Sequence, residues 1–189
     1  MKAKKENNPG ASCRIHVGTS GYAYNEWIEA GFYPPGTKSG DMLPFYAGRF
    51  STVELNYTWY RMPRAEAVKR QMNLAPSGFL FAVKLTRTLT HEPDPRGWRK
   101  EASVYRNGIS PLLQARQLAA VLIQLPPSFT RTPSNRKYLA ALLHELQGLP
   151  LAVEFRHRSW ATDRVFHELE KRGVALVSVD EPDLPNLFP

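Results

Sequence analysis

An α/β fold, with a parallel sheet flanked by helices and able to curl into a barrel, is what this sequence predicts. Three observations carry that expectation. Short β-rich runs alternate with helical patterns along the chain, the β-rich runs are two-faced, and the polar residues of one face gather toward the C-terminal ends of the runs.

The β-rich runs fall at residues 14–18, 52–56, 79–84, 120–125, 151–156 and 174–180. Each is short, bounded and rich in β-branched or aromatic residues, as strands are. Two of the intervening helices have readable ends. Thr132 stands at an N-cap position, Pro133 occupies the first turn and Gly148 marks the stop, while Leu139, Leu142, Leu143 and Leu146 form one apolar stripe. Thr162 caps the next helix, which turns Val165, Phe166 and Leu169 inward and has Gly173 beyond its end. Residues 41–50 and 64–74 read as earlier helices, and 111–118 as a shorter one. Residues 1–12, lysine-rich and polar, read as a flexible tail, leaving 13–189 as the barrel domain.

Successive side chains on a strand point to opposite faces. Leu151, Val153 and Phe155 therefore oppose Ala152, Glu154 and Arg156. Val53 and Leu55 oppose Glu54 and Asn56, and Phe79, Phe81 and Val83 oppose Leu80, Ala82 and Lys84. The bulky set suits contact with helices; the other set faces a barrel interior. On that inner face polarity rises toward the strand ends, where Glu54, Asn56, Lys84, Gln124, Glu154, Arg156 and Asp180 fall. In barrels the strand ends form the active-site mouth, so these residues are expected to converge.

Composition narrows the class. The 189 residues are 42% hydrophobic and 22% charged, within the ordinary globular range, and no run approaches the roughly 18 apolar residues of a membrane span. The N-terminal residues lack the apolar core of a secretory signal, and the single Cys13 has no partner for an internal disulfide, so a cytoplasmic protein is expected. Lys and Arg outnumber Asp and Glu by 25 to 17, a net charge of +8. That balance favours an anionic ligand or nucleic acid, or else is a solvated basic surface without a dedicated partner. The basic residues are densest around Arg87, Arg96, Arg99, Lys100 and Arg106.

Among the residues able to do chemistry, Glu54, Glu154 and Lys84 are the catalytic candidates. A carboxylate can act as general base, and two can hold a divalent cation, with Lys84 and Arg156 on the same face to pair with them. The competing reading is a structural ion-pair network. Nearby carboxylates keep Lys84 charged, which suits anchoring an anion better than Schiff-base chemistry. Gly18, Thr19, Ser20 and Gly21 follow the first run; the glycines let backbone N–H groups approach a ligand, and Thr19 and Ser20 can donate to phosphate or carboxylate oxygens. The same four residues equally make a tight turn. His91 follows the third run within reach of the mouth. Tyr22 and Trp160 are the aromatics expected to touch ligand, whereas most others after strand ends pack loops. Asn56, Gln124, Arg156 and Asp180 complete the expected binding set. A divalent metal is an open cofactor question, with no His-x-x-x-His or Cys pair to support zinc.

The motifs at these strand ends resemble the YecE-like family, also called domain of unknown function 72. The matching stretches are V-G-T-S-G-Y (17–22), F-Y-P-P-G (32–36), F-S-T-V-E-L-N-Y-T-W-Y-R-M-P (50–63), F-L-F-A-V-K (79–84), L-T-H (89–91), Q-L-P-P-S-F (124–129), V-E-F-R-H-R-S-W (153–160) and V-D-E-P (179–182). They run in order from about Ile15 to the C-terminus. The resemblance implies a TIM-barrel-like (β/α)₈ fold and brings no catalytic mechanism with it. Two departures are visible: Met72 stands where the family usually has a Trp, and relatives continue with two further strands, near Y-V-R-L-H-G and Y-V-Y-F-N-N patterns. The expectation is therefore a barrel truncated after its sixth strand, with the first and sixth strands left as edges. Either the reading is shortened or another chain covers the gap. The leading functional expectation is an enzyme, a hydrolase or lyase acting on a phosphate ester or nucleic-acid fragment. The alternatives are a non-catalytic module binding nucleic acid or a nucleotide, and a truncated product without activity of its own.

Overall fold

The computed structural model describes residues 14–182 and 186–188. The tail expected over residues 1–12 lies outside the described residues, as does Cys13. The elements run α1 (Glu26–Glu29), α2 (Ser39–Ala47), β1 (Thr52–Leu55), α3 (Tyr57–Tyr60), α4 (Ala65–Met72), β2 (Leu80–Lys84), α5 (Arg87–Thr90), α6 (Trp98–Gln114), β3 (Leu118–Gln124), α7 (Pro133–Glu145), β4 (Leu151–Glu154), a 3-10 turn (Arg158–Trp160), α8 (Asp163–Lys171) and β5 (Ala175–Leu176).

The strands form one parallel sheet in sequence order, β1-β2-β3-β4-β5, and among the described residues it is open. Helices connect successive strands, as parallel pairing requires. Val53, Leu55, Phe81, Val83, Val121, Ile123, Val153 and Phe155 are all buried in one core with the helices; burial alternates along β1 and β2, whereas Leu122 in β3 and Ala152 and Glu154 in β4 are buried on the other face as well. Glu54, Ala82, Lys84 and Gln124, on the other face, are half-buried. The small residues Ala82, Ala120 and Ala152 separate the polar ones along that face.

Both expected caps are present. Thr132 accepts the Asn135 amide at 3.2 Å, and Thr162 accepts the Val165 amide at 3.4 Å. Gly148 and Gly173 follow the two helices with φ of 84° and 63°, the left-handed region that costs Gly least. The α7 stripe is buried throughout. On α8 Leu169 is buried, but Phe166 is 38% exposed, because it lies about 100° around the helix from Val165.

Three expectations need correction. Residues 14–18 form no strand: Ile15 and Val17 are 83% and 62% exposed, and among the described residues the bridge from this segment to β1 joins Ser20 to Glu54, beyond the expected run. The run at 174–180 contracts to Ala175–Leu176, because its ladder to β4 covers only Ala152 with Ala175 and Val153 with Leu176. The short helix expected at 111–118 is the end of the 17-residue α6, and Leu118 already belongs to β3. Pro111 looked like a helix start but lies inside. The true stripe is Trp98, Ala102, Tyr105, Ile109 and Leu112, spaced alternately by four and three residues and all buried. The charges around it concealed that period.

Candidate functional site at the strand ends

The inner face of the sheet carries two hydrogen-bonded polar groups with a lysine between them. At β1, Asn56 Nδ2 donates to Ser20 Oγ at 2.7 Å, and Ser20 Oγ donates to Glu54 Oε1 at 2.9 Å. The backbone holds this relay in place: Glu54 N donates to Thr19 O at 3.0 Å and Gly21 N to Glu54 O at 2.9 Å. The Thr19 amide donates to Tyr46 Oη at 2.8 Å, so a residue expected to face ligand is tied to the buried Tyr46.

At β4, Glu154 is buried, and its Oε1 accepts Gln124 Nε2 at 2.8 Å and Arg156 Nε. Gln124 and Glu154 are register partners, which puts the amide beside the carboxylate. Arg156 also donates through Nη1 to Glu181 Oε2. Burial works against the guanidinium charge, but Glu154 and Glu181 outweigh it and hold its pKa above the ordinary value. Among the described residues Glu154 Oε2 accepts no protein donor, so one carboxylate oxygen is anchored and the other has no protein partner.

Glu181 was not foreseen. Alternation carried to the end of 174–180 points to Asp180, but the strand stops at Leu176, and Asp180 is exposed while its neighbour pairs with Arg156. The only signal in the sequence was the V-D-E-P motif, which does not say which acid turns inward.

Lys84 ends β2, opposite Leu122 in the register. Its carbonyl accepts Thr58 Oγ1 at 2.6 Å and Tyr105 Oη at 3.1 Å, which fixes the strand end. The residue is half-buried, and its ammonium forms no salt bridge among the described residues, contrary to the pairing expected of it. Nearby, His91 Nδ1 lies 2.9 Å from Thr90 Oγ1, and Trp59 stands edge-on to its ring at 5.1 Å. Burial, and then the Lys84 charge, lower the His91 pKa, with Glu92 opposing. An NMR titration is expected to place the His91 midpoint below that of a free imidazole, and Lys84→Met is expected to raise it; an unmoved midpoint contradicts the coupling. Between the folded and unfolded midpoints the folded state then binds fewer protons on this ring than the unfolded chain, so stability rises with pH through that interval, is lost as the pH falls through it, and levels off below the folded midpoint.

Two of the expected contacts are held by protein neighbours. Trp160 is buried between Phe155 and Phe129, with ring centroids 4.8 and 5.5 Å away, and its indole N–H donates to Phe129 O at 2.6 Å. It packs beneath the strand ends. The Tyr22 hydroxyl accepts Gln71 Nε2 at 2.9 Å, and burial raises its pKa. Part of the basic cluster is structural as well: Arg106 Nη2 donates to Glu145 O and Gln147 O, both at 2.8 Å, and Arg99 stacks on Trp98 at 4.5 Å.

Among the described residues, no three His, Cys, Asp or Glu side chains gather to hold a metal ion, and no helix is long and apolar enough to cross a membrane. Among the described residues no hydrogen bond or salt bridge joins the β1 group to the β4 group, which stand at different strands of the sheet.

The chain is 29% identical over 178 residues to the UPF0759 protein YunF of Bacillus subtilis and 27% identical over 175 residues to YecE of Escherichia coli K12. These alignments cover 90% and 88% of the chain but 62% and 59% of the relatives, so the chain spans about three fifths of their length. The crystal structure of the DUF72 family protein TM1631 from Thermotoga maritima is similar with a TM-score of 0.80 and 34% identity, covering 92% of this chain and 68% of that one. A DUF72 family protein from Enterococcus faecalis (EF0366) shares the fold, with a TM-score of 0.77. The model of the family described as protein of unknown function DUF72 matches residues 16–188, and the chain belongs to that family.

Proposed function

We propose that the strand ends form part of a (β/α)-barrel mouth that binds an anionic substrate, a phosphate ester or nucleic-acid fragment, with Lys84 as its charge anchor and Glu154 as its acid–base group. Lys84 is the observation that carries the reading. It is half-buried at the strand end and its ammonium has no carboxylate partner among the described residues, which leaves it available to pair with an anionic group of a ligand. The neutral His91 beside it adds a donor or acceptor without a second positive charge.

The ladder supports convergence of the polar groups. The row of register partners through Glu54 passes Ala82 and Ala120 and reaches β4 four residues before Glu154. In a barrel tilted by about 36°, level shifts by about one residue per strand. Across the three steps from β1 to β4, that tilt brings Glu154 to within about one residue of the level of Glu54. Ser20, Asn56, Gln124 and Arg156 then surround one opening, and the unanchored Glu154 Oε2 is free to take or deliver a proton.

Calorimetry with inorganic phosphate and with a nucleoside monophosphate tests the reading. Lys84→Met is expected to weaken binding about tenfold or more, the worth of a charge-assisted contact. Glu154→Gln is expected to keep binding while abolishing turnover across a phosphoester panel. Equal affinity of the native protein and Lys84→Met overturns the proposal. Binding without turnover, weakening steeply with salt, favours the non-catalytic nucleic-acid module instead.

A further inference from the structure

On the helical side of the sheet, a cleft of about 240 Å³ opens between α7 and α8. Its floor is apolar, made by Leu139 and Leu143 from α7 and by Val165 and Leu169 from α8, each pair one helical turn apart. Its rim carries Arg131, Arg136, Arg164 and Arg172 against one acid, Glu168. That acid is already engaged with Arg172 at 3.7 Å.

The other three arginines form no salt bridge or side-chain hydrogen bond among the described residues, and Arg131 Nε is fully buried without a partner. Their positions sharpen the anomaly. Arg131 precedes the α7 cap, Arg136 is in the opening turns of α7, and Arg164 is in the first turn of α8. Helix starts carry partial positive charge and favour anions, and Asp163 is the one acid in these two first turns, so three cations there leave a positive potential on the rim. The Arg131 amide donates to Ser159 Oγ at 2.9 Å, which ties the loop before α7 to the turn before α8 and fixes the distance between the two helix starts.

We infer that this cleft binds a small amphipathic organic anion. Its phosphate or carboxylate head lies among Arg131, Arg136 and Arg164, and a body the size of one aromatic ring rests on the leucine and valine floor. The volume is below the roughly 300–1,000 Å³ typical of drug-sized ligands, which suits a body of a single ring. This site is separate from the strand-end mouth and does not depend on it.

Phenyl phosphate is the probe, with inorganic phosphate, phenol and benzoate as comparators, measured by calorimetry on the native protein. Phenyl phosphate is expected to bind about tenfold or more tightly than either inorganic phosphate or phenol, since charge and apolar burial act together only in the first. Benzoate binding as tightly assigns the head as a carboxylate and equally supports the cleft. The double substitution Arg131→Gln with Arg164→Gln is expected to weaken phenyl phosphate binding about tenfold or more, and Arg136→Gln, at an exposed position, to weaken it with the fold undisturbed. In the Lys84→Met background, where the mouth lacks its anchor, phenyl phosphate is expected to keep a binding component with the same dependence on Arg131, Arg136 and Arg164, which separates this cleft from the mouth. Phenyl phosphate binding no more tightly than inorganic phosphate, or equally in the arginine variants, overturns the inference.

Discussion

Arg156→Met is expected to destabilise the protein by about 3 kcal/mol and to lower the melting temperature by about 10 °C. The reason is asymmetric. Glu154 is 5% exposed, and its charge is compensated by Gln124 and Arg156; removing the guanidinium leaves a buried carboxylate with a single neutral donor and also releases Glu181. Breaking one side of a buried pair costs more than the pair contributes, because the desolvation of the remaining charge is no longer offset. The double variant Glu154→Gln with Arg156→Met is therefore expected to recover most of the loss, despite carrying more substitutions. Denaturant unfolding of the four proteins in this cycle measures both numbers. A single variant within about 0.5 kcal/mol of the native protein means that the pair is solvated and contributes little.

Gly108→Ala has the second large effect, and its sign is the informative part. Inside a helix, alanine is favoured over glycine by about 1 kcal/mol, so local propensity predicts stabilisation. At this position in α6, however, an added Cβ would lie 2.2 Å from Pro63 O and 2.8 Å from Pro63 C, which are backbone atoms that cannot rotate aside. The helix would have to withdraw from the segment that leads into α4, and overpacking of that kind costs about 2 kcal/mol net. Urea unfolding that shows the alanine variant to be the more stable one rules out this close approach.

Much of the architecture was legible. The apolar stripe of α7, the threonine caps at 132 and 162, and the two-faced strands at Val53, Phe81 and Val153 are local patterns, and each is present as read. The stripe of α6 was equally available, since Trp98, Ala102, Tyr105, Ile109 and Leu112 keep helical spacing; it was obscured by weighting the charges and Pro111 over the period. The pairing of Glu154 with Arg156 was also anticipated, because residues two apart on a strand share a face.

Other features could not be read, for one physical reason. Periodicity reports which face a side chain occupies, but the partner on that face comes from a segment remote in the chain. Whether residues 14–18 and 174–180 stay extended depends on neighbouring ladders, and there Ile15 and Val17 find no burial and β5 pairs over two residues. Trp160 became packing because Phe129 and Phe155 close over both its faces. Asp180 gave way to Glu181 because the strand ended early, and Gly108 is glycine because Pro63 lies against it. Faces and caps follow from local stereochemistry and were written along the chain; partners, charge balance and close approaches arise where distant segments meet, and only the folded arrangement specifies them.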